Sequence, residues 1–253
     1  MNKGLSRSVL KYWAIFAMLI DHIAWMWFPD TELPGQLMHL IGRTTAPIMC
    51  FFIAEGYKYS KSLNRYLLRL IIFTAISYFP FVLFSDGFFK LPVIWTLMFG
   101  LLAIQAWDQI DNPFLRILAI IAICALGSVG DWTVFGVLMC LSFWIFRDSR
   151  IKQTIALAGI AIIELIFFAI LAFSIPPLPH SFPQLLQFIQ TCALSFLKTF
   201  ERNWYQLGIV IAMAFLFAYN GEKGKHDPKW MFYIFYPAHL LVLVALKTWV
   251  FTV

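Results

Sequence analysis

Nine windows near the length of a membrane-crossing helix limit this chain more than any motif in it. They lie at about 9–29, 36–56, 66–84, 92–107, 114–130, 132–147, 153–174, 204–219 and 230–251. A helix needs about 20 mostly apolar residues to cross the hydrocarbon core of a bilayer. No water reaches the backbone there, so only helices and closed barrels satisfy its N–H and C=O groups, and windows of this length predict helices. A composition of 61% hydrophobic, 18% aromatic and 13% charged residues sets the chain apart from soluble domains. The expected fold is an all-α polytopic membrane protein, with nine to ten transmembrane helices around a polar internal cavity or tunnel.

The net charge of +6 does not imply a nucleic-acid partner, because the basic residues fall in short breaks between windows rather than on one face. The positive-inside rule accounts for them. With the N-terminus inside, the cytoplasmic segments hold Lys3, Arg7, Lys11, Lys58, Lys61, Arg65, Arg69, Arg116, Arg147, Arg150, Lys152, Lys223, Lys225 and Lys229, against Lys90, Lys198, Arg202 and Lys247 outside. The predicted location is a bacterial inner membrane, with a cytoplasmic N-terminus and lipids as neighbours. Residues 183–200, "PQLLQFIQTCALSFLKTF", carry a polar face of Gln184, Gln187, Gln190, Thr191, Ser195 and Lys198. This segment reads as an amphipathic helix on the outer surface or tucked into the bundle, giving nine crossings; counting it as a span gives ten. The first window contains Asp21 and His22 and has no small-residue cleavage pattern, so it is expected to stay attached. Cys50, Cys124, Cys140 and Cys192 lack CxxC spacing and read as packing residues, and the five histidines form no HExxH-type ligand spacing, so no metal is expected. No break is long enough to link a second domain, and residues 1–253 read as one membrane domain.

Ionisable side chains at membrane depth are costly and mark functional sites by default. Here they are Asp21, His22, Arg43, Glu55, Glu164 and His239. Asp21 and Arg43 are expected to form an ion pair between the first two spans, as a structural brace, a functional pair or both. His39, His180 and His226 fall at window ends or in loops, where a solvated imidazole is ordinary. Lys11 precedes His22 by eleven residues, about 1100° of helical rotation and about 16 Å of rise, so the two share a face. A ligand with phosphates at one end, a reactive carbonyl at the other and a thin arm between them would match that separation, and coenzyme A has this shape. Lys11 as a simple inside anchor is the competing account.

The blocks "LKYWAIFAMLIDHI", "HLIGRTTAPIMCFFIAEGYKYS", "RYLLRLIIFTAISYFPF", "GDWTVFGVLM" and "KWMFYIFYPAHLLVL" resemble, in order and spacing, the TraX family, whose founding member acetylates the N-terminus of conjugative F-pilin. The same skeleton is similar to the larger family of integral-membrane acyltransferases. There, a basic residue eleven before a helix histidine, an "FFxxSGF"-like block, a basic run and a late histidine block recur. In this chain those places are held by Lys11 and His22, by "FFIAEGY", by Lys61, Arg65 and Arg69, and by His239. Lys11 stands where arginine is commoner, which weakens bidentate phosphate binding and keeps the charge attraction.

The resemblance implies a CoA-dependent acetyl or acyl transferase drawing acetyl-CoA from the cytoplasm, without a metal, for an acceptor that is a peptide amine or a glycan. It makes His22 the base or the nucleophilic relay and pairs Asp21 with Arg43. Arg43 or His239 becomes the donor to the developing oxyanion. Lys11, Lys58, Lys61, Arg65 and Arg69 become the CoA-phosphate cluster, with Glu55 shaping the tunnel mouth. Two other functions stay open on the sequence: a proton-coupled transporter or flippase using Asp21, Arg43, Glu164 and His239, and a structural assembly factor.

Overall fold

The computed structural model describes residues 4–85, 90–172, 181–225 and 230–252. Among them are eleven α-helices: α1 (Arg7–Trp27), α2 (Leu33–Gly42), α3 (Thr45–Tyr59), α4 (Leu63–Ser85), α5 (Val93–Gln109), α6 (Pro113–Gly127), α7 (Thr133–Ile145), α8 (Arg150–Ala172), α9 (Phe182–Asn203), α10 (Gly208–Phe217) and α11 (Met231–Thr252). A 3-10 turn, Trp204–Leu207, precedes α10, and the only β-type pairings among the described residues are isolated bridges. Five segments are long and apolar enough to cross a membrane: Arg7–Trp27, Leu33–Tyr59, Leu63–Ser85, Arg150–Leu171 and Met231–Trp249. Pro113–Gly127 and Thr133–Ile145 are apolar but shorter. His180, His226 and Lys229 lie outside the described residues.

Two windows are not single unbroken helices. The one at 36–56 is broken at Arg43–Thr44, between α2 and α3. Pro47 in the first turn of α3 has no N–H, so the carbonyl of Arg43 loses its helical donor. The Thr44 hydroxyl bonds back to the Ile41 carbonyl at 2.7 Å and accepts from Trp13 Nε1 at 2.9 Å, which fixes the break against α1. The window at 204–219 holds a 3-10 turn and a ten-residue helix, because Gly208 lies so close to the Leu40 carbonyl that the turn is wedged against α2. Gln36 on α2 holds the same junction, accepting from Trp204 Nε1 and donating to the Glu201 carbonyl at 3.0 Å.

Helices α3, α5 and α7 form the centre of the bundle. Ile48, Leu101, Ile104, Val137, Met139 and Phe143 on them are buried. Small residues allow the close approach: a Cβ on Gly100 would stand 2.4 Å from Cys140 Sγ, and one on Gly136 would stand 2.6 Å from a Thr96 methyl. Around this centre, α1, α4 and α11 pack on one side and α8 and α10 on the other. Ile117, Leu118 and Ile121 on α6 and Ile162, Ile163 and Ile170 on α8 point outward, as a lipid solvent permits. At one end of the bundle Leu5 and Arg7 N–H groups bond to the carbonyls of Ala218 (2.6 Å) and Glu222 (2.8 Å). At the other, the turn before α5 pairs with the turn before α7.

Helix α9 corresponds to the amphipathic segment. It packs on α8, and Thr199 is its one buried residue. Phe182, Leu186, Ile189 and Phe200 are exposed on one side while Gln184, Gln187, Thr191 and Lys198 are exposed on the other, and α9 is not among the segments apolar enough to cross.

Candidate active site

Two cavities lined by ionisable residues enter the bundle among the described residues. One, of about 190 Å³, is lined by Arg7, Lys11, Glu55, Tyr66, Tyr233 and Tyr236 with apolar neighbours. The other, of about 550 Å³, is lined by Asp21, His22, Arg43, Asp131, Glu164 and Tyr205 among others. A recess of about 30 Å³ shares Met49 and Tyr236 with the first, and Asp21, His22, Asp131 and Trp132 with the second. Helix α1 runs unbroken from Lys11 in the first cavity to His22 in the recess, so the eleven-residue spacing is a continuous helical path.

Hydrogen bonding determines the tautomers of the two buried histidines. His239 Nδ1 lies 2.8 Å from the Phe235 carbonyl, and His22 Nδ1 lies 2.9 Å from the Met18 carbonyl. A carbonyl only accepts, so both Nδ1 atoms carry protons. His239 Nε2 is 3.1 Å from His22 Nδ1. In neutral His239 that nitrogen holds a lone pair, so it accepts from His22 and cannot also donate. The His22 Nδ1–H is shared between two acceptors, and His22 Nε2 is left as the basic atom. The ring of Phe84 at 4.9 Å and the stacked ring of Phe235 on His239 at 4.6 Å limit both imidazoles. His239 is buried behind His22 and is not among the cavity-lining residues named above.

Asp21 takes a different partner from the one expected. His39 Nδ1 donates to Asp21 Oδ1 at 2.8 Å, and His39 is fully buried rather than solvated. Arg43 acts on the Asp21 carboxylate by charge without a direct ion pair, and its guanidinium sits in an aromatic cage. Its guanidinium carbon lies 5.1 Å from the Trp132 ring, 5.3 Å from Tyr205 and 5.9 Å from Trp25. Arg43 Nε and Glu164 Oε2 are buried without a hydrogen-bond partner among the described residues.

At the other end, Glu55 accepts from Tyr219 at 3.1 Å. Arg7 joins Lys11 in the lining, and Arg150 packs over Phe51 at 4.6 Å. Lys58, Lys61 and Arg65 are exposed and Arg69 is half-buried; none of the four lines the cavity. Sequence reasoning missed Asp131 and Tyr236 as site-lining residues and His39 as the buried partner of Asp21. Asp131 in "GDWT" lies between two apolar windows, where an acid is ordinary. His39 and Tyr236 are ordinary members of such windows. Among the described residues, no group of three or more His, Cys, Asp or Glu side chains converges as metal ligands, and all four cysteines are free thiols.

The family model described as TraX protein matches residues 6–247. A probable fimbrial assembly protein FimC, serogroup H1, of Dichelobacter nodosus is 28% identical over 261 residues, covering 97% of each chain. An uncharacterized protein of Rickettsia prowazekii (strain Madrid E) is 33% identical over 84 residues, 32% of each chain. No solved structure matches.

Proposed function

The chain belongs to the TraX family, and from that premise we propose that it is an inner-membrane acetyltransferase, carrying an acetyl group from cytoplasmic acetyl-CoA to the N-terminal amine of a pilin-like protein. The observation that carries the reading is His22, with Nδ1 anchored and Nε2 left basic, lining the recess that adjoins both cavities. The fimbrial-assembly relative supports a pilin-like acceptor over a glycan. In this reading the chain crosses nine times, with α5, α6, α7 and α10 as short crossings, and α9 lies in the membrane surface.

The donor enters by the smaller cavity, which suits a thin arm rather than a nucleotide. Arg7 and Lys11 attract its phosphates at the mouth, and Lys58, Lys61, Arg65 and Arg69 serve the nucleotide outside, while Glu55 braces the entrance through Tyr219. The thioester carbonyl then lies in the recess. The neutral amine attacks the carbonyl carbon, and His22 Nε2 takes its proton as the C–N bond forms. The imidazolium's Nδ1–H points at His239 Nε2, so His239 stabilises the charge and orients the ring. Tyr236 accepts from the Val93 N–H at 3.4 Å and has its own hydroxyl proton free for the developing oxyanion. When the C–S bond breaks, the His22 proton passes to the leaving thiolate.

Purified protein in detergent should acetylate a synthetic peptide with a free N-terminus when given acetyl-CoA, followed by mass spectrometry; a peptide that gains no acetyl group refutes the proposal. Lys11→Glu should weaken acetyl-CoA binding about tenfold, about 1.4 kcal/mol, with the deficit shrinking in high salt. Unchanged affinity would make Lys11 a membrane anchor only. His239→Gln should lower kcat by about 10- to 100-fold and leave the acetyl-CoA KM near its original value, since the group orients the base without meeting the donor. A rise in KM at constant kcat would contradict that role.

A further inference from the structure

An α-amine has a pKa of about 7.7–8.0 and arrives at neutral pH mostly as an ammonium ion. Acylation requires it to lose two protons, one before attack and one during it. His22 Nε2 can take one. A second acceptor is needed on the acceptor side of the recess.

Two carboxylates line both the recess and the larger cavity, Asp21 and Asp131. Asp21 is held by His39. Asp131 is surface-accessible, and its backbone is fixed: its N–H bonds to the Leu91 carbonyl at 2.9 Å, and Gly130 pairs with Leu91. Two residues on, Thr133 has φ 44°, a left-handed conformation that a β-branched residue adopts only where its surroundings impose it. This turn brings Trp132 against Arg43 and keeps Asp131 at the rim that His22 also lines. Glu164, buried with Oε2 unpartnered among the described residues, lies on the same cavity wall.

We propose that Asp131 is the acceptor-side base: it binds the incoming ammonium in the larger cavity and takes its first proton, delivering a neutral amine to the thioester. This rests on the acetyltransferase reading. The protons balance: the ammonium gives one to Asp131 and one to His22. Asp131 releases its proton to water in the larger cavity, and His22 passes its proton to the CoA thiolate. The products are the acetylamide, CoA thiol and one free proton.

The test compares wild-type protein with Asp131→Asn and Asp131→Glu, using acetyl-CoA and a peptide with a free N-terminus at pH 7 and pH 9. At pH 7 the Asn variant should acetylate the peptide at least about 10-fold more slowly, within the range a positioned base supplies. At pH 9, where the free amine is already neutral, the deficit should shrink to about 3-fold or less. Glu should restore part of the pH 7 rate. Acetyl-CoA affinity, measured by calorimetry, should be unchanged in both variants and reports that they have folded. A wild-type rate for Asp131→Asn at pH 7, or an equal loss at both pH values in variants that bind acetyl-CoA normally, overturns the proposal and leaves the acetyltransferase reading standing. If wild-type protein acetylates nothing, both fall together.

Discussion

His22→Gln is expected to abolish acetyl transfer, lowering kcat by about 10²- to 10⁴-fold, the usual contribution of a positioned general base. Glutamine has similar reach and keeps hydrogen-bonding groups near the Met18 carbonyl and His239, but it cannot hold a proton and return it. The loss should fall on the chemical step, with acetyl-CoA bound as in the wild type, because the phosphate site proposed at Arg7 and Lys11 is at the far end of α1. Single-turnover kinetics with radiolabelled acetyl-CoA separates the two effects. A variant that binds the donor and transfers at the wild-type rate removes His22 from the mechanism.

Gly208→Val should cost the fold itself. A Cβ at this position would stand 2.2 Å from the Leu40 carbonyl oxygen and 2.8 Å from Arg43 Cβ. The carbonyl is backbone in a helix and cannot rotate away, so α10 and the 3-10 turn must move off α2. Overpacking commonly costs about 1–3 kcal/mol and more where backbone must shift; the upper end is expected here, together with displacement of Arg43 from its aromatic cage. Gly159→Val supplies the control, since a Cβ there meets nothing within 4 Å. Thermal unfolding in detergent should show a large drop for the first variant and little change for the second. Equal stability of the two would mean that the α2–α10 contact is looser than described.

The all-helical class was legible because apolar windows of helix length leave the backbone no other economical pairing. What the windows could not distinguish was apolar surface against lipid from apolar surface against protein. Val93, Leu97 and Ile104 make α5 read as a span, yet they face α3, α4 and α7 as core. The break at Arg43 had a local signal in Pro47, but the shortness of α10 depends on the close approach of Gly208 to Leu40, which no local pattern records.

The candidate site divides in the same way. Asp21, His22, Arg43, Glu164 and His239 were conspicuous because charge or imidazole is rare at membrane depth. The partner of Asp21 was not, since the choice between His39 and Arg43 turns on the bend between α2 and α3. Nor could sequence separate Lys11, which lines a cavity, from Lys58, Lys61 and Arg65, which are exposed; all four look like inside anchors. Asp131 was hidden by lying between windows, where an acid is ordinary, until the turn that carries it was seen to meet the recess beside His22.

The most direct measurement is a cryo-EM or crystal structure of the protein with a non-hydrolysable acetyl-CoA analogue. The account predicts continuous ligand density from phosphates beside Arg7 and Lys11 to a carbonyl within about 3–3.5 Å of the His22 ring, the separation expected of reacting groups. Density that ends at the cavity mouth, or occupies the larger cavity with the recess closed to it, would contradict the account.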